Sequence, residues 1–166
     1  MKKISLLMLL FSLFYAAAAC TSKQTVNKNE QQIVLPDGLP DFVQSSDFEK
    51  IDWSRKAIPF GKRGIIGNEN KSGVIGAQMP SLDRQKWMWH LWGVGDTELT
   101  IIGFHKETQT VHQIVYGQWT LHAGGPNNGA DAHSPSLVHL PKPGEWAMLL
   151  YTDGKLFDIL VYNIKK

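Results

Sequence analysis

Six histidines and one cysteine carry the most reactive side chains of this 166-residue chain, and their spacing limits what they can do. The histidines are His90, His105, His112, His122, His133 and His139. None lies two or four residues from another, so no single strand or helix sets two imidazoles side by side. A zinc or copper site would need ligands converging from separate strands, with Met88 as a further soft donor for copper. One segment, residues 124–135, favours such convergence: Gly124-Gly125-Pro126-Asn127-Asn128-Gly129-Ala130-Asp131-Ala132-His133-Ser134-Pro135. In extended chain Asp131 and His133 point the same way, and His122 arrives from the preceding strand. These three are the candidate ligand- or metal-binding residues. A competing reading gives them structural work. Asp131 would cap a turn and His133 would bond a strand end, because a loop this rich in Gly and Asn needs internal hydrogen bonds to be ordered. The sequence calls for no cofactor.

Other chemistries find fewer residues. Ser134 and Ser136 stand outside any Gly-x-Ser-x-Gly elbow, and Gly93-Val94-Gly95 lacks the third glycine and the helix of a dinucleotide loop. There is no Gly-Lys-Ser/Thr phosphate loop. The reading is therefore that the chain is not an enzyme. Trp87, Trp89, Trp92 and Trp119 offer a stacking platform for cell-wall carbohydrate, but Trp87 and Trp89 share a strand face as core neighbours do. The chain has 17 basic and 15 acidic residues, and setting aside Lys2 and Lys3 of the leader leaves it formally neutral. That balance gives no support for a nucleic-acid partner.

The cysteine has a specific context. Met1-Lys2-Lys3 is a short cationic start, and residues 4–19 run apolar and small before Ala17-Ala18-Ala19-Cys20. The run is too short for a spanning helix and reads as a cleaved signal peptide over residues 1–19. It resembles a bacterial lipoprotein signal, with Ala17 where Leu is usual. The resemblance implies that Cys20 carries a diacylglycerol thioether, so that the membrane becomes a partner through lipid on Cys20. Residues 20–32 hold little that can be buried and read as a lipidated, flexible tether with a root-mean-square span of roughly 20 Å.

These residues need elements to position them. Residues 33–59, interrupted by Pro36, Gly38 and Pro40, read as an irregular lead-in. Phe42, Phe48, Ile51 and Trp53 would dock on the domain, with a helical turn across 47–56. Residues 60–166 alternate short strand-like runs with Gly, Pro, Asn and Asp, which predicts an all-β fold: an immunoglobulin-like antiparallel β-sandwich of about seven strands. Strands are expected near 64–66, 73–76, 86–92, 98–105, 110–116, 118–122 and 136–140. The strongest local signal is Asp153-Gly154, the type I′ hairpin dipeptide. A two-residue loop there pairs Leu150 with Phe157, Met148 with Ile159 and Trp146 with Val161, and it places Trp146 in the core.

Two stretches, Trp87-Met88-Trp89-His90-Leu91-Trp92-Gly93 and Pro126-Asn127-Asn128-Gly129-Ala130-Asp131-Ala132-His133, resemble a family of small surface lipoproteins from Gram-positive, spore-forming bacteria. Trp146 and the ending Gly154-Lys155-Leu156-Phe157 belong to the same likeness, which covers residues 60–164. It implies a surface lipoprotein and a β-sandwich, and supplies no catalytic residue. The expectation is a lipid-anchored module on the extracytoplasmic face of the cell membrane, binding an unknown surface protein or cell-wall ligand. A metal-binding lipoprotein is the alternative.

Overall fold

The computed structural model describes residues 33–77, 82 and 84–165. The expected signal peptide, Cys20 and the expected tether lie outside the described residues. Gln31–Lys166 forms one compact unit that carries every strand and both apolar cores found among the described residues. No helix among the described residues is long and apolar enough to cross a membrane.

The architecture is the expected antiparallel β-sandwich, with ten strands among the described residues where about seven were expected. The first sheet has the order β1 (Ile58–Phe60), β2 (Ile65–Asn68), β3 (Ser72–Ile75), β4 (Gln85–Leu91) and β8 (Ala132–Val138). The second sheet runs β10 (Lys155–Ile164), β9 (Gly144–Thr152), β5 (Thr97–His105) and β6 (Thr110–His112). Strand β7 (Thr120–Ala123) shares with β6 the far edge of β5. The added strand β1 contains Pro59 and sits at a sheet edge, where a missing N–H costs no ladder bond. Strand β6 ends at His112, short of the expected 116, because Ile114 and Val115 turn into the core and Val115 bridges to Val138 of the other sheet. Strand β8 begins at Ala132, earlier than the expected 136. Its inward Ser136 accepts from the Trp89 indole at 2.8 Å, and Ser134 donates to the His122 carbonyl at 2.9 Å.

Between the sheets, Trp87, Trp89 and Leu91 of β4 meet Leu99 and Ile101 of β5 and Trp146, Met148 and Leu150 of β9. Trp146 is fully buried, as expected, and its indole donates to the Lys142 carbonyl at 3.1 Å. The His105 and His112 rings pack on it with centroids 4.8 and 5.2 Å away.

The Asp153-Gly154 turn forms as predicted, with φ of +47° and +76°. The register beyond it is corrected. Leu156 faces Tyr151, but a bulge at Phe157 then slips the pairing, so Leu150 faces Asp158, Met148 faces Leu160 and Trp146 faces Tyr162. A one-residue slip exchanges the two faces of a strand. Leu160, Tyr162 and Ile164 join the inter-sheet core, while Ile159 and Val161 face outward.

The outward face is covered by the lead-in. A short helix α1 (Ser45–Phe48) replaces the turn expected across 47–56. Val43, Phe48 and Ile51 are buried against Ile102, Phe104, Leu149 and Tyr151 in a second core, with the Phe48 and Phe104 rings 4.9 Å apart. Asp47, also buried, is held by Lys50 at 2.7 Å, the Gln44 amide at 3.1 Å and the Tyr151 hydroxyl at 3.0 Å. Burial pushes its pKa up, but these three partners outweigh that and leave it below the usual carboxylate value.

Candidate functional site

The loop between β7 and β8 lies across the outer face of the first sheet. Its centre is a two-residue hairpin: Asn128 and Gly129 have φ of +51° and +87°, and Asn127 and Ala130 exchange backbone hydrogen bonds of 3.1 and 2.9 Å. Asn-Gly is the type I′ dipeptide, so this turn follows from the sequence by the same rule as Asp153-Gly154.

Side chains of β4 and its flanks tie the hairpin down. Met88, His90 and Trp92 alternate with the inward Trp87, Trp89 and Leu91, and so face the loop. The Trp92 indole donates to the Gly129 carbonyl at 2.7 Å, Asn128 Nδ2 donates to His90 Nε2 at 2.9 Å, and Asn127 Nδ2 lies 3.3 Å from Met88 Sδ. Asp96 accepts from the Gly125 amide at 3.1 Å. His90 is fully buried, and its Nδ1 donates to the Met88 carbonyl at 3.0 Å. With Nε2 accepting from Asn128, this network assigns a neutral imidazole protonated on Nδ1. Burial, reinforced by His133, holds the His90 pKa below the ordinary histidine value.

The candidate residues have separate tasks. Asp131 Oδ2 accepts from the Gly93 amide at 2.7 Å, while the Asp131 amide donates to the Leu91 carbonyl at 2.9 Å. His133 Nδ1 donates to the Gly125 carbonyl at 2.9 Å. Both bond to backbone, as the structural reading of this loop expects. His122 is exposed on β7 of the other sheet, with Nδ1 3.5 Å from Glu98 Oε1. Among the described residues no group of three or more His, Cys, Asp and Glu is placed to hold a metal ion. The tryptophan platform is not assembled either. Trp87 and Trp89 are core residues, Trp92 is tied to Gly129, and Trp119 packs on the second core.

Sequence reasoning missed two polar assemblies. The first lies between the sheets at the bulge. Asn68 Nδ2 donates to both Asp158 oxygens at 3.0 Å and to the Ile159 carbonyl at 3.1 Å, and Ser72 donates to Asp158 at 2.5 Å. Tyr162 donates to the Ile66 carbonyl at 2.9 Å, and burial with the Asp158 charge pushes its hydroxyl pKa well up. The second is Glu145, clasped by Lys106 and Lys56, which together hold its carboxyl below the ordinary value. Only the alternating polar positions in otherwise apolar strands hinted at either.

The named polar groups of the loop bond within the fold, and together they fasten the loop to the first sheet. No curated protein matches the chain. Among solved structures, a crystal structure of a "putative lipoprotein from Bacillus anthracis" shares the fold with a TM-score of 0.62. It is 19% identical, and the alignment covers 76% of this chain and 96% of that one. The sequence model of a domain of unknown function matches residues 42–162, beginning inside the lead-in that covers the second sheet and ending within β10. That match spans most of the chain and takes in both cores and the fastened loop, and so this chain belongs to the DUF4871 family.

Proposed function

We propose that this chain is a lipid-anchored protein of the extracytoplasmic face, whose sandwich serves as a non-catalytic binding or interaction module. The observation that carries the reading is Cys20, the one cysteine of the chain, at the end of an apolar leader and directly after three alanines. Two acyl chains give stable membrane attachment where one is marginal. The description of the Bacillus anthracis neighbour as a putative lipoprotein agrees with this reading. Two apolar cores and a hydrogen-bonded loop support the module reading by setting the surface of the sandwich.

The test is processing in the host cell. Replacing Cys20→Ala should leave an uncut precursor that takes up no labelled fatty acid, while the parent should begin at an acylated Cys20 by mass spectrometry. A mature parent with an unmodified first residue elsewhere would overturn the anchor.

A further inference from the structure

The balance of charge differs between the two ends of the strand axis. One end of the sandwich holds the β2–β3, β4–β5 and β9–β10 connections, where Glu69, Asp96, Asp131 and Asp153 stand with the cations Lys71 and Lys155. At the other end the β1–β2 turn carries Lys62 and Arg63, Arg84 and Lys86 sit at the start of β4, and Lys165 follows β10. All five are exposed, and none is in an ion pair among the described residues. The acids described near them are occupied: Glu145 by Lys56 and Lys106, and Glu107 beside His105 at 3.0 Å.

Apolar surface accompanies these cations. Leu137 is the cross-strand partner of Lys86, and the Tyr116 amide donates to its carbonyl at 2.9 Å. Tyr116 is 61% exposed and Leu137 41%, and the Arg84 guanidinium lies 5.0 Å from the centre of the Tyr116 ring. A groove of about 460 Å³ at the same end is walled by Pro59, Ile66 and Ile164 and reaches Lys165.

We propose that this cationic end is a docking surface for a membrane leaflet rich in acidic lipids, with Tyr116 and Leu137 entering the headgroup layer. Charge complementarity selects an anionic partner. The exposed Tyr–Leu pair selects a lipid surface over a soluble polyanion, because an aromatic and a leucine flanked by long cationic side chains fit the boundary between headgroups and acyl chains. The inference rests on the proposed membrane-side location, but its test uses residues 31–166 without a lipid, so failure of the anchor and failure of the docking surface are read separately.

The experiment is co-sedimentation of residues 31–166 with phosphatidylcholine vesicles, with and without phosphatidylglycerol. Binding should require phosphatidylglycerol and should weaken in high salt. Lys62→Glu and Lys86→Glu should each weaken it by at least about fivefold, and Leu137→Ser should weaken it further. Lys155→Glu changes the net charge equally at the other end and should leave binding close to the parent's; near-UV circular dichroism checks that each variant is folded. Equal binding to neutral vesicles, no vesicle binding, or equal loss in Lys155→Glu would each overturn the proposal. Retention by soluble polyphosphate without vesicle binding would overturn the lipid assignment.

Discussion

The two sheets are finished on their outer faces by different physics. The second is covered by an apolar lead-in whose Val43, Phe48 and Ile51 bury themselves on Phe104 and Leu149. The first is crossed by a polar hairpin held at Gly125, Asn128, Gly129 and Asp131 by hydrogen bonds. An apolar cover gains stability from area removed from water, which tolerates small displacements. A hydrogen-bonded cover gains less per contact, but it fixes position because each bond fails within a few tenths of an ångström. The fold thus has one face sealed for stability and one set for shape.

That contrast can be broken most forcefully at Phe48. Phe48→Ala should cost about 3–5 kcal/mol in denaturant unfolding, because a buried ring leaves a cavity that its neighbours refill only in part. The fastened loop should cost less. Asp131→Ala with His133→Ala removes two side-chain bonds to backbone and should cost about 2 kcal/mol, with faster amide exchange confined to the loop. If stability and exchange were unchanged, the loop's bonds would not be what orders it, and its role as a binding site would return.

Acidity sharpens the contrast further. Burial holds His90 and His112 below the ordinary histidine value of 6.5, with Lys142 and His105 adding to the effect at His112. The folded protein then takes up these protons less readily than the unfolded chain. Their contribution is complete above about pH 6.5 and is lost as pH falls through that value toward the lower folded-state pKa values. Between pH 7 and 5 the melting temperature should fall, and exchange protection should drop at Gly125 and Ala130 before it drops in the lead-in. Asn128→Asp sets a carboxylate against His90 Nε2, which raises the folded-state pKa of His90 toward the unfolded value and should shrink the loss. A loop whose protection does not change with pH would show that His90 protonation leaves the Asn128 contact intact.

What the sequence disclosed follows the same division. Asp153-Gly154 announced its turn because its positive φ angles are a local requirement. Asn128-Gly129 carries the same signature, and reading residues 124–135 as one irregular loop passed over it. The last register was hidden for a longer-range reason. With both faces of the second sheet covered, β10 is apolar on both sides, from Leu156 and Phe157 through Leu160, Val161 and Tyr162, so no alternation shows which residues face inward. At the loop, the sequence pointed to Asp131 and His133, and both side chains bond to backbone. Their backbone partners, Gly93 and Gly125, are set by how β4 and β7 approach β8, which no local spacing encodes.

The bulge at Phe157 has a consequence for how the chain folds. In the slipped register Asp158 reaches Asn68 and Ser72 of the facing sheet. Without the slip, the same carboxylate would point the other way, under the lead-in and away from both donors. A buried carboxylate stripped of its partners costs several kcal/mol, more than a hairpin gains from any one cross-strand pair. Asp158 therefore acts as a parity check on the final hairpin: only the slipped register brings its carboxylate to Asn68 and Ser72.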